Sequence, residues 1–133
     1  MKPWLLYFIM LLSWSNMSGQ NITKVTIISV PLSITYSWDI NCKEFDRTFN
    51  DIKKTIILTS TSKIEEMKLA LSKFKVAELT GIDVRGKLLI CHNGKNLKVA
   101  CFDEFGDFYV DGNFYENKKL FNFLLANKFI TWQ

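Results

Sequence analysis

The sequence predicts an α+β fold: a mainly antiparallel sheet ending in a C-terminal β-meander, with about three helices packed on one face. Three observations predict it. The second half of the chain alternates apolar and polar residues and breaks at short turn motifs, which is the pattern of strands joined by hairpins. Two apolar stripes recur at helical spacing, one through Ile64, Met67, Leu71 and Phe74 and the other through Leu120, Phe121, Leu124 and Leu125. No regular βαβ repeat runs through the chain, so a parallel sheet has no crossover helices to build it.

The first segment reads as a leader. Lys2 precedes an apolar run from Trp4 to Leu12, and Ser18, Gly19 and Gln20 follow. A charged residue, a short apolar stretch and small residues make a secretory signal pattern. The run falls short of the ~20 apolar residues that span a bilayer. The expected organisation is a signal peptide over residues 1–19 and a single α+β domain over residues 20–133, with no stable membrane span after cleavage.

Each later element has its own signature. Val25 to Val30 is a β-branched run closed by Pro31, and reads as a strand. Leu32, Ile34, Tyr36, Trp38 and Ile40 then alternate with polar residues, which predicts a half-buried strand. Phe45, Phe49 and Ile52 recur at helical spacing behind Asn41, a candidate N-cap. Thr55 to Thr59 reads as a short buried strand. Ser62-Lys63-Ile64-Glu65 fits a capping box at the head of the first apolar stripe. Ile82, Val84, Leu88 and Ile90 alternate on one strand, and Leu97, Val99 and Cys101 carry the return after the turn residues Asn93-Gly94-Lys95-Asn96. Asp111-Gly112, between Phe108-Tyr109-Val110 and Asn113-Phe114-Tyr115, is a type I′ hairpin signal that puts Tyr109 opposite Phe114. Asn117 caps a last helix that carries the second apolar stripe.

Composition narrows the function classes. Without Lys2 the 17 basic residues become 16 against 13 acidic, a formal +3 spread along the chain, which does not point to nucleic acid. His92 is the only histidine, so a multi-histidine metal site is ruled out. Cys91 and His92 are adjacent, and adjacent strand residues point to opposite faces, which argues against a catalytic dyad. Asp103, Glu104 and Asp107 surround Gly106 and offer oxygen ligands, but their spacing fits no calcium loop and solvated acidic loops are commoner. Asn21-Ile22-Thr23 is a glycosylation sequon, relevant in a eukaryotic host. No phosphate-binding glycine loop and no Gly-x-Ser-x-Gly elbow occurs. The sequence thus names no cofactor, no metal and no catalytic residue.

The three cysteines support a sharper inference. An exported chain forms disulfides, and an odd number leaves one thiol over. In a hairpin with a two- or four-residue loop centred on Gly94-Lys95, Cys91 lies opposite Lys98 and Cys101 opposite Leu88, on opposite faces. A three-residue loop puts both on one face but several residues apart. Either way Cys91–Cys101 is too long to bridge. Cys42 continues the parity of Trp38 and Ile40, so Cys42–Cys101 is the expected bond. The competing reading is three reduced cysteines packed as small apolar residues.

One surface is a candidate for binding. The face opposite the expected core of the meander carries Asp83, Arg85, Lys87, Leu89, Lys98 and Phe102, mixed charge around apolar residues, as in a protein-binding patch. The competing reading is an ordinary wet face of an antiparallel sheet, or one covered by a helix. Two functions fit: a small exported (secreted or periplasmic) binding protein, of inhibitor, immunity or surface-module type, whose partner is another protein; or a small hydrolase using carboxylates such as Asp83, Asp103, Glu104 and Asp107. Convergence of two carboxylates in a closed pocket would favour the second.

Overall fold

A computed structural model describes residues 21–133; the leader expected over residues 1–19 lies outside them. The strands are β1 (Lys24–Ser29), β2 (Lys54–Leu58), β3 (Lys75–Val76), β4 (Gly86–His92), β5 (Lys95–Phe102), β6 (Asp107–Val110) and β7 (Asn113–Glu116). They form one sheet in the order β2-β1-β4-β5-β6-β7-β3. Every neighbouring pair is antiparallel. The helices among the described residues are α1 (Phe45–Thr48), α2 (Thr61–Leu71) and α3 (Lys118–Ala126). None of them is long and apolar enough to cross a membrane.

Strand parity sorts the core into two layers. On the first face Val25, Ile27, Leu88, Ile90, Ala100, Phe102, Phe108 and Val110 meet Ile64, Met67 and Leu71 of α2 and Leu120, Phe121 and Leu124 of α3. On the second face Cys101 meets Phe45 of α1 and Phe49, its C-cap, with Val30, Ile40 and Val84. The helices therefore divide between the faces, two on the first and one on the second, rather than all packing on one. Cys101 explains the division. Its side chain points to the second face, and its bond to Cys42 holds the approach to α1 there.

The C-terminal elements form as their sequence predicts. Asp111 and Gly112 both have positive φ, 50° and 82°, the requirement of a type I′ turn. Tyr109 pairs with Phe114, ring centroids 5.1 Å apart. Asn117 Oδ1 accepts the backbone N–H of Leu120 at 2.9 Å, and so caps α3. The far end of α3 closes as a Schellman motif. Lys128 N–H donates to Leu125 O and Phe129 N–H to Leu124 O, with Lys128 at φ 58°. Phe129 then packs edge-on against Phe123.

Earlier segments depart from expectation. Residues 32–41 form no strand. Both edges of β1 are already taken, by β2 and β4, so the chain leaving it has no edge beside it to join. Leu32 and Ser33 N–H donate instead to Thr131 and Trp132 carbonyls. Leu32 and Ile40 are both buried, but in different layers, the first and the second, while Tyr36 and Trp38 stay 44% and 59% exposed. The next helix is a single turn, and Ile52 lies outside it, exposed. Asn41 does cap a turn, its Oδ1 accepting from Glu44 N–H at 2.9 Å, one turn ahead of α1. β2 is an edge strand with only Leu58 buried, not a buried one. Helix α2 begins at Thr61 with Ser60 as its N-cap, ahead of the expected capping box.

The β4–β5 hairpin also shifts. Its loop is Asn93-Gly94, both at positive φ, so His92 faces Lys95. A register shift between Ile90 and Cys91 then puts Ile90 opposite Lys98 and Cys101 opposite Lys87. Cys91 faces Asn96, not Lys98. Ile82 and Val84 precede β4 and pack with the second-face cluster rather than continuing the row of Leu88 and Ile90.

Candidate functional site

The second face of the sheet is only partly covered. One cross-strand row runs Thr55, Ile28, Lys87, Cys101, Tyr109, Phe114. Ile28, Cys101 and Tyr109 in this row pack with the cluster around α1. The adjacent row runs Ile57, Thr26, Leu89, Val99 across β2, β1, β4 and β5. None of these four belongs to a core cluster, and Ile57 and Val99 are exposed. Between the rows lies an open groove of about 560 Å³, lined by Asn41, Cys42, Lys43, Lys87, Val99 and Tyr109. The disulfide is thus part of one groove wall.

The covering segment is held by charge as well as sulfur. Arg85 is 3% exposed. Its guanidinium donates to both Asp83 carboxylate oxygens, at 2.8 and 2.7 Å, and to Ile34 O at 3.1 Å. Asp83 Oδ1 also accepts Ile40 N–H at 2.8 Å. The pair therefore staples two points of the irregular segment 32–41 that no strand ladder holds. The same guanidinium lies 5.6 Å from the centre of the Phe49 ring. On the groove side, Asp46 of α1 accepts from Lys53 at 3.1 Å and from Lys87. Burial raises the Asp46 pKa, but the two lysines outweigh it and hold the carboxyl below its ordinary range.

Of the six face residues expected from sequence, the structure brings together Lys87 and Leu89. Phe102 is fully buried on the first face, in the core with Phe108. Lys98 shares that side as the partner of Ile90, and its ammonium pairs with Asp111. Arg85 and Asp83 act as the internal staple. The one-residue shift in β5 accounts for Lys98 and Phe102, because it turns each side chain beyond it to the other face. Sequence reasoning missed Ile57, Thr26 and Val99 as one row. The β-branched composition of β2 was the available signal, but nothing local says which strand lies beside it.

The carboxylates do not converge. Asp83 is bound by Arg85. Asp103 Oδ1 accepts the backbone N–H groups of Phe105 and Asp107, both at 2.9 Å, and so ties the 103–107 turn. Burial raises its pKa against those hydrogen bonds. Among the described residues no group of three or more His, Cys, Asp or Glu side chains is placed to hold a metal ion. Cys91 is a buried thiol 2.9 Å from Asn96 Oδ1, and the His92 ring contacts the Asn21 carbonyl through Nδ1. The two side chains have separate partners.

The fold and the groove define a class of architecture: a seven-stranded antiparallel sheet packed on both faces, with one face left half open. No family model, curated protein or solved structure matches the chain.

Proposed function

We propose that the chain is a small exported protein that binds another protein through the open half of its second sheet face. The observation that supports this reading is the row of exposed Ile57, half-buried Leu89 and exposed Val99 beside the groove, rimmed by Lys43 and Lys87. An apolar centre with a charged rim is the anatomy of a protein interface. The Cys42–Cys101 bond agrees with export, since disulfides persist in oxidising compartments.

The test is affinity capture of a partner from the envelope or secreted fraction of the host, followed by reconstitution of a defined complex from purified components. Val99→Asp changes a side chain already in contact with water and should leave the thermal melt unchanged. It should weaken the reconstituted complex about tenfold or more, as expected for a charge placed in an interface centre. A complex formed equally well by Val99→Asp would rule this face out.

A further inference from the structure

The far edge of the molecule holds a second surface with different chemistry. A pocket of about 240 Å³ is lined by Lys73, Lys75, Glu116, Asn117, Lys118 and Lys119. Four separate stretches of chain supply these residues. Lys73 follows α2, Lys75 lies in the short edge strand β3, Glu116 ends β7, and Lys118 and Lys119 open α3. Four lysines against one glutamate put +3 of the chain's formal +4 around this one cavity.

The lysines are not consumed by the fold. All four are exposed. None takes part in the ion pairs of the described residues, which lie elsewhere on the molecule. Lys118 donates to the Phe105 carbonyl, a neutral acceptor, and feels the Asp103 carboxylate nearby without forming an ion pair with it. Glu116 faces Lys75 across the β3–β7 pair but makes no ion pair with it. Like charges this close repel one another, and a surface selected for stability alone would disperse them or pair them. The framework that gathers them is tied together beneath the pocket. The Asn117 side chain is 2% exposed, caps α3 and donates to Ala70 O at 2.9 Å, which ties α3 to the end of α2 beneath the pocket.

We infer that this pocket binds an oxyanion, a phosphate or sulfate group, which would neutralise the lysines and accept their N–H groups. The volume suits one such group with part of its hydration, since liquid water takes ~30 Å³ per molecule. Ammonium-to-oxyanion contacts are charge-assisted and stronger than neutral hydrogen bonds. The site is independent of the groove on the second sheet face, so either proposal can fail without the other.

The experiment is a titration of the ¹⁵N-labelled protein with sodium phosphate and, separately, sodium sulfate, each against sodium chloride at matched low ionic strength. Saturable amide shifts confined to residues 73–75 and 116–119 are expected. The double variant Lys73→Gln/Lys119→Gln, with an unchanged thermal melt, should bind about tenfold more weakly. A second arm uses phosphatidylcholine vesicles with and without phosphatidic acid. Retention on the acidic vesicles alone, lost in the double variant, would identify the oxyanion as one carried on a lipid. Response to the free anions without vesicle retention would identify a soluble one. A protein that shows neither, or a double variant that binds as the wild type does, overturns the inference.

Discussion

At the scale of single residues, legibility followed the distance to the partner. The Oδ1 of Asn117 and the turn residues Asp111 and Gly112 act within three positions of themselves, so the cap and the turn can be read from the sequence, whereas the bond from Asn117 Nδ2 to Ala70 O cannot. Arg85 and Asp83 cannot be read this way, because Ile34 O lies 51 residues from the guanidinium that binds it. Asp103 is intermediate: its sequence context reads first as a solvated loop carboxylate and only second as a cation ligand, and it ties its own turn instead. Asp103→Ala would strand two backbone N–H groups and should cost about 1–3 kcal/mol, while Asp103→Asn keeps an acceptor oxygen and should cost less. Urea melts of the two variants decide it, and equal losses would show that the N–H groups find other acceptors. Asp46 supports a prediction in pH. Its folded pKa lies below the ordinary 3.8, so its ion pairs add stability above that value and lose it as the pH falls below. The stability gap between wild type and Asp46→Asn should therefore be present at pH 7 and close on acidification below about 3.8. The side chain is 44% exposed, so the gap should be modest and shrink with salt. A gap that widens in acid would reverse the sign of the assignment.

At the scale of elements, periodicity identified β1, the two long helices and the two hairpins, and misread residues 32–41, the length of α1 and the burial of β2. The alternation from Leu32 to Ile40 is real, but a strand needs a free edge beside it, and the order β2-β1-β4 leaves none next to β1. The β4–β5 hairpin is legible in Asn93-Gly94-Lys95-Asn96, but the shift at Ile90/Cys91 has no local signal, and it alone turns Phe102 and Lys98 to the face opposite the expected one. The β6–β7 hairpin had no such irregularity, and its register was readable. Two substitutions test the C-terminal unit. A Cβ on Gly112 would touch nothing within 4 Å, so Gly112→Val should cost only the backbone strain of positive φ, ~1–2 kcal/mol. Leu124 is fully buried between α3 and the sheet, and Leu124→Ala should cost ~2–5 kcal/mol. Denaturant melts should rank the two in that order. A Leu124→Ala protein as stable as wild type would mean that α3 is not docked.

At the scale of the whole molecule, the disulfide decides how the two layers differ. The first face is closed by two helices and a large aromatic core around Phe102, Phe108 and Phe74. The second is closed by one turn of helix and an irregular segment, which bury far less apolar surface and have little ladder to hold them. Sequence parity named Cys42 and Cys101 as the pair although both of its premises failed: residues 32–41 form no strand, and Cys101 lies opposite Lys87 on the second face rather than opposite Leu88 on the first. It could not show that their bond fastens a separate layer, since that depends on which side of the sheet the chain crosses to after β1. The bond joins residues 59 apart, with Cα atoms 5.8 Å from each other. A loop of that length predicts a loss of about 4 kcal/mol when the link is removed, in the chain-entropy account. The loss should also be uneven. In Cys42→Ser/Cys101→Ser, hydrogen exchange should accelerate first at Val84 and Ile40, whose N–H groups are held by Ile40 O and the Asp83 carboxylate. Leu88 and Ile90, in the centre of the sheet, should keep their protection until global unfolding. Cys91 should then be the one thiol of the native wild-type chain, labelled by iodoacetamide only slowly because it is buried. If exchange accelerates equally at Val84 and Leu88, the two layers unfold as one, and the disulfide stabilises the molecule without defining a separable second face.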